Sequence, residues 1–237
     1  MLSLVKELCL LNGVSSGEDE VRAFIREKAA PYAEAMRTDA LGNLIVFKKG
    51  AKATGNKLML TAHMDEVGFI VNDITEDGYL KFAPVGGIDP RVVIGKRVSV
   101  GLGRVQGAIG LKAYHLVSAE EEKNVPKFED MYIDIGARDR ADAEAAVALG
   151  ALVSFESDAV EFGCGMFKAK AIDDRVGCAV MLKLLEEELP MDCTFVFSTQ
   201  EEVGTRGAFG AAFSVTPEIA LVLEGTTAAD LPGTDSH

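Results

Sequence analysis

Three short runs of almost unbroken apolar residues constrain this chain more than any other feature: 57–62 (KLMLTA), 193–199 (CTFVFST) and 219–223 (IALVL). A strand that covers a core with one face alternates apolar and polar side chains. A strand that is apolar at nearly every position is buried on both faces, as in a sheet covered by helices. The flanking segments supply such helices. Residues 2–11 repeat apolar positions at helical spacing. Residues 18–36 do the same, with Val21, Phe24, Ile25 and Ala29 on one face, Ser16 as N-cap and acidic residues in the first turn to suit the helix dipole. Residues 173–189 read as a buried helix ended by Pro190, and 206–213 as a shorter one. The turn Leu41-Gly42-Asn43 leads into a further short strand at 44–47.

The texture changes after Gly68. Up to about Ser157 the chain runs in short β-like stretches (FIVNDI, YLKFAPV, RVSVGL, GAIGL, MYIDIGA, ALVSFE) broken by glycines, with one helix at 141–149. Alternation with turn residues at short intervals predicts a small barrel or sandwich. Residues 1–67 plus 158–237 then form an α/β domain, and 68–157 a β domain inserted into it.

Composition bounds the function. The chain has 237 residues, 48% of them hydrophobic, enough for a large core in one or two domains. No apolar run approaches the roughly 18 residues of a membrane span. The opening MLSLVKELCLLNG carries Lys6 and Glu7 inside its apolar stretch, which does not suit a signal peptide, so a cytoplasmic protein is expected. The net charge is −13 and Lys and Arg are not clustered, which argues against nucleic-acid binding. Cys9, Cys164, Cys178 and Cys193 are scattered, form no CxxC pair, and read as small buried hydrophobes.

Histidine is scarce: His63, His115 and His237. His63 directly follows KLMLTA, and Asp65 lies two residues on. Ligands of open α/β sheets bind just past the carboxyl ends of strands. A carboxylate beside a histidine fixes the ring tautomer and raises its basicity as a metal ligand; the alternative is a loop histidine with its hydrogen bonds satisfied. Asp173 and Asp174 open an apolar helix. One aspartate suffices as a cap. Two partly buried carboxylates so close repel unless a cation or hydrogen-bond donor compensates, and Arg175 could supply that, so the pair alone leaves both readings open. Glu201 and Glu202 close the CTFVFST strand and should point in different directions, so that one binds metal while the other activates water; the alternative is a solvated acidic pair. Glu224 follows IALVL. Three buried strands therefore end on His63, on Glu201 and Glu202, and on Glu224, while Asp173 opens a helix. Strand ends of one parallel sheet converge on one edge. An imidazole among so many carboxylates calls for two divalent cations, and oxygen and nitrogen donors without thiolate fit zinc, cobalt or manganese.

The strings LTAHMDEVGFIV, KAIDDRVGCAVM, STQEEVGTRGA and LVLEGTTAADLPGT, preceded by GVSSGEDEVR and DALGNLIV, resemble the tetrahedral (TET) and glutamyl aminopeptidases, a family of two-metal metallopeptidases. The likeness runs in the family's order along essentially the whole chain. It implies a three-layer α/β fold with helices on both faces of the sheet, as in zinc exopeptidases, interrupted by the β domain. It implies two divalent ions per subunit, zinc or cobalt first and manganese next. His63 would bind one metal and Asp65 orient it. Asp173 would bridge both, with a cis peptide to Asp174. Glu201 would be the general base, Glu202 a ligand of the other metal, and Glu224 the second ion's carboxylate. The implied activity removes N-terminal residues from short peptides through a water bridging the metals. The inserted domain would join subunits into dimers, and dimers into dodecamers. There are two departures. The family usually has aspartate at Glu224. Its last metal-binding histidine belongs to a C-terminal segment beyond this sequence, and His237 matches a position that is not a ligand. Either the sequence is incomplete or the site lacks one ligand. His115, in the β domain, reads as structural.

Two other functions fit the same residues: a two-metal hydrolase of a glycosidic or acyl-amino bond, and a catalytically impaired assembly or binding protein.

Overall fold

The computed structural model describes residues 1–52, 57–228 and 232–233. Its first part contains α1 (Leu2–Cys9), α2 (Asp19–Ala29), β1 (Ala35–Thr38), β2 (Leu44–Lys48) and β3 (Leu58–His63). Then come β4 (Gly68–Ile74), β5 (Leu80–Val85), β6 (Arg97–Val100), β7 (Val105–Gly110), β8 (Tyr132–Asp134), α3 (Arg140–Ala146) and β9 (Leu152–Phe155). The last part holds β10 (Val160–Phe162), β11 (Met166–Lys168), α4 (Ile172–Glu186), β12 (Cys193–Ser198), α5 (Arg206–Val215) and β13 (Ile219–Val222).

Five strands form one sheet in the order β1-β2-β12-β3-β13. β12, β3 and β13 run parallel, while β1 and β2 are antiparallel to their neighbours. The unbroken apolar runs have the expected cause. Leu44, Val46, Leu60, Ala62, Phe195 and Phe197 pack with residues of α1, α2 and α4, while Ile45, Met59 and Val196 pack against Ala211 of α5. Both faces of the central strands are covered. Each such Leu, Val or Phe is stabilised by about 1.5–3 kcal/mol when fully buried.

Several expectations need correction. β13 is not buried: Ile219 and Leu221 are 52% exposed and Val222 66%. Among the described residues it is an edge strand, paired only with β3, and its apolar pattern does not specify its neighbours. The helix predicted over 18–36 ends at Ala29. Pro31 follows and lacks a donor for a continuing helix, and residues 35–38 pair with β2 instead. Ser16 does not cap α2; it lies at φ 75, and Glu18 occupies the N-cap position without a side-chain cap bond. The helix predicted over 173–189 stops at Glu186. The β10–β11 hairpin was not predicted. Cys9, Cys178 and Cys193 are buried, but Cys164 is exposed in that hairpin's turn.

β4 to β9 close into a six-stranded barrel in the order β4-β5-β8-β7-β6-β9. It has its own core, in which Phe69 meets Phe82 and Phe155 edge-on, with centroids 4.8 and 5.2 Å apart. Only residues 64–67 separate the end of β3 from the start of β4. Gly68 makes this approach possible, because a Cβ there would lie 2.4 Å from Val14 Cγ2 and 2.5 Å from Val153 O. Among the described residues no helix is long and apolar enough to cross a membrane.

Candidate metal centre

The parallel register brings the decisive residues to one edge. Ser198 pairs opposite His63, and Val222 opposite Thr61. The chain leaving β12 therefore carries Glu201 and Glu202 past the end of β3, and the chain leaving β13 carries Glu224 there.

His63 is buried, with 2% of its side chain exposed. Its Nδ1 lies 3.1 Å from Asp65 O and 3.4 Å from Asp65 Oδ1. Its Nε2 faces three carboxylates: Asp173 Oδ1 at 3.1 Å, Glu224 Oε1 at 3.5 Å and Glu201 Oε2 at 3.9 Å. His63, Asp173 and Glu224 offer ligand atoms that all lie within 4.8 Å of one another.

The two aspartates at the start of α4 divide the work. Their peptide bond is cis. Asp174 is fully buried and acts as the cap: Oδ1 accepts from Gly177 N (3.1 Å) and Oδ2 from His63 N (3.2 Å). Asp173 is left free to face the imidazole, with 56% of its side chain exposed. Arg175 does not compensate this pair, contrary to one of the sequence alternatives. It is fully buried and turns away, donating to the carbonyls of Met64 (2.9 Å) and Leu8 (2.6 Å). Among the described residues Asp173, Glu201 and Glu224 pair only with His63, and Glu202 has no ion pair.

The electrostatics follow from that crowding. Burial alone would lower the His63 imidazole, but the hydrogen bond and charge of Asp65, with Asp174 and Glu224, hold it up at about 10. Burial, with Asp65, Asp173 and Glu201 nearby, pushes Glu202 up to about 7 against the pull of His63. Burial, a hydrogen bond with Asp173 and the charges of Asp174 and Asp173 push Glu224 to about 7. Asp174 also rises to about 7, chiefly through burial. Asp65 behaves oppositely. Burial opposes its charge, yet hydrogen bonds from His63, Ser15 Oγ (2.6 Å) and Glu201 N (2.9 Å) hold it below the ordinary carboxylate range. The cluster thus crowds negative charge that no Lys or Arg ion pair offsets among the described residues. A divalent cation answers the same field, and one imidazole with several carboxylates is a donor set for it. A cavity of about 570 Å³ opens beside Asp173 and Glu202, walled by Val67, Phe155 and Ile172.

The model of the M42 glutamyl aminopeptidase family matches residues 42–237. The chain belongs to the M42 glutamyl aminopeptidase family. M42 is a family of peptidases, and so of hydrolases. A TET aminopeptidase from a marine-sediment Thaumarchaeota archaeon is 36% identical with a TM-score of 0.92, over 99% of this chain and 67% of that one. A Thermotoga maritima protein named endoglucanase is 39% identical with a TM-score of 0.83, over 98% of this chain and 68% of that one. The TET1 peptidase of Pyrococcus horikoshii, which can assemble into a tetrahedron or a large octahedral shell, is 30% identical with a TM-score of 0.85, over 97% of this chain and 72% of that one. The chain spans about two thirds of the length of the relatives it matches.

Within this M42 chain, His63, Asp65, Asp173, Glu201, Glu202 and Glu224 all lie at the same sheet edge. Glu224 Oε1 lies 3.5 Å from His63 Nε2, and its ligand atom falls within 4.8 Å of those of His63 and Asp173. His115 is exposed in a short 3-10 turn between β7 and β8, and His237 lies outside the described residues. Sequence reasoning missed Ser15, whose hydroxyl donates to Asp65. The only available signal was its place in the GVSSGEDEVR string, where a hydroxyl before a helix reads as a cap.

Proposed function

We propose that this chain carries the metal centre of an aminopeptidase that removes N-terminal residues from short peptides. The observation that carries the reading is the meeting of His63 Nε2 with Asp173, Glu201 and Glu224 within 3.1–3.9 Å, with no Lys or Arg to offset them among the described residues. Membership of a peptidase family supports the choice of reaction, and the likeness to the TET aminopeptidase supports the zinc-exopeptidase-like three-layer arrangement.

His63, Asp173 and Glu224 would hold one divalent cation, and Asp173 with Glu202 would reach a second. Zinc or cobalt suits these donors, with manganese next. When bound, the ions would polarise the scissile carbonyl and acidify the attacking water. The chain's own groups do the rest. Asp65 fixes the imidazole through Nδ1, leaving Nε2 to face the ligand side. Glu201 is the general base: it takes the proton of the attacking water and returns it to the leaving amine. The cavity beside Asp173 and Glu202 receives the peptide. The barrel, as an inserted domain over 68–157, joins subunits; the exposure of Tyr114 (76%), Leu116 (61%) and Leu102 (106%) supports this, as does assembly of the Pyrococcus horikoshii relative.

One specific observation favours a second reading, hydrolysis of a glycosidic bond: the name of the Thermotoga maritima relative. A panel of aminoacyl-p-nitroanilides, short peptides and oligosaccharides, with and without chelator, separates the two. The expected result is chelator-sensitive release of N-terminal residues and none of sugars. Turnover of oligosaccharides alone would reverse the assignment.

A further inference from the structure

The loop that delivers Glu201 and Glu202 is held in an unusual way. Four consecutive amides donate to side-chain oxygens: Thr199 N to Asn43 Oδ1 (2.9 Å), Gln200 N to Glu18 Oε1 (3.2 Å), Glu201 N to Asp65 Oδ1 (2.9 Å) and Glu202 N to Asp65 Oδ2 (3.1 Å). The three acceptors come from three separate stretches of chain. Asp65 already belongs to the metal centre. Glu18 does not.

Glu18 is a carboxylate with 3% of the residue exposed, and it makes no ion pair among the described residues. It occupies the N-cap position of α2 but does not cap the helix. Its Oε1 instead accepts two amides, from Ser16 (2.8 Å) and Gln200. Both donors lie in the left-handed region, Ser16 at φ 75 and Gln200 at φ 56. L residues other than glycine adopt that conformation only where their surroundings hold them in it. Gln200 immediately precedes Glu201, so the peptide orientation at Gln200 sets the direction in which the next two side chains leave the backbone.

We infer that Glu18 is a positioning residue for Glu201 and Glu202. One buried oxygen ties the turn at Ser16 to the turn at Gln200 and aims both glutamates at the cluster. A buried carboxylate is retained there because two amides must be met at one point, and a shorter side chain cannot reach both. The kinetic consequence rests on the aminopeptidase reading above; the structural consequence does not.

The test compares Glu18→Gln, Glu18→Asp and Glu18→Ala in the full-length, metal-loaded protein. Three readouts are taken: kcat and KM on an aminoacyl-p-nitroanilide, bound zinc per subunit, and hydrogen exchange of residues 199–203. Glu18→Gln keeps an oxygen that accepts both amides and is expected to stay near the parent. Glu18→Asp and Glu18→Ala are expected to lose about 10- to 100-fold in kcat with KM within about twofold, the scale set by slight misplacement of a reacting group. Exchange should quicken at 14–18 and 199–203 and not elsewhere. Unchanged kcat and protected 199–203 in Glu18→Ala would overturn the inference. So would a Glu18→Gln variant as impaired as Glu18→Ala, because charge and not the shared acceptor would then matter. If Glu18→Ala does not fold, Glu18→Asp against Glu18→Gln decides; a Glu18→Gln that does not fold makes Glu18 a folding residue and refutes the claim. If the parent protein itself releases no amino acid, the aminopeptidase reading fails, and exchange at 199–203 still decides the role of Glu18.

Discussion

Glu201 and Glu202 are neighbours with different surroundings. Glu201 Oε2 lies 3.9 Å from His63 Nε2, whereas Glu202 is pushed up to about 7 mainly by burial. Their variants should therefore fail differently. On the proposed two-metal reading, Glu201→Gln is expected to bind both ions with unchanged stoichiometry while kcat falls about 10²–10⁴-fold, the usual general-base contribution. Glu202→Gln is expected to lose one ion, read as bound metal per subunit after dialysis. A fully active Glu201→Gln would remove Glu201 from the chemistry. The raised groups give a second expectation. Metal ligands must shed their protons. Below about 7 Glu202 and Glu224 retain theirs, and His63 does so up to about 10. Metal affinity should rise with pH from 6 to 8, with net proton release measurable by calorimetry in buffers of different ionisation enthalpy. A pH-independent affinity would contradict that electrostatic picture. The residues of the cluster were legible in the sequence because each sits where a strongly patterned segment stops. Glu18 was not, because an acidic residue opening an amphipathic helix already has an adequate explanation in the helix dipole. Only tertiary structure shows its oxygen reaching a loop 182 residues away.

Of the three unbroken apolar runs, 57–62 and 193–199 form strands covered on both faces, since burial on two faces leaves little choice of side chain. Their ends and neighbours were less legible. The helix predicted through residue 36 stops because of Pro31, and β13 proves an edge strand because its pattern reports hydrophobicity and not pairing. α4 carries a sharper constraint. Gly177 stands where a Cβ would lie 2.5 and 2.6 Å from the two carboxylate oxygens of Asp174. In an ordinary helix, replacing glycine by alanine gains about 1 kcal/mol from propensity. Here the methyl displaces Asp174, which caps the helix and accepts from the His63 amide. Loss of a cap costs about 0.5–2 kcal/mol and overpacking about 1–3, so the clash outweighs the propensity. Gly177→Ala should unfold at lower urea concentration than the parent, with weaker metal binding. A stabilised variant would show that Asp174 does not depend on this space.

At the scale of the whole molecule the described residues form three packed clusters, one on each face of the sheet and one inside the barrel. The change of texture at Gly68 marks the place where the barrel strands begin. That they close was not legible, because closure depends on β4 pairing with β9 across some eighty residues. If the barrel joins subunits, charge placed on its apolar surface should separate them. Leu116→Glu is expected to give a smaller species by light scattering, with unfolding free energy within about 0.5 kcal/mol of the parent, as for an exposed position. An unchanged particle would place the contact elsewhere.

The link between the two bodies has a mechanical consequence. Residues 64–67 are pinned at nearly every step: Met64 N to Ser198 O, Met64 O to Arg175, Asp65 to Ser15 and the glutamate loop, and Glu66 N to Gly13 O. Such a tether has no slack. The hydrogen bonds that seat the first barrel strand are therefore the same ones that surround His63.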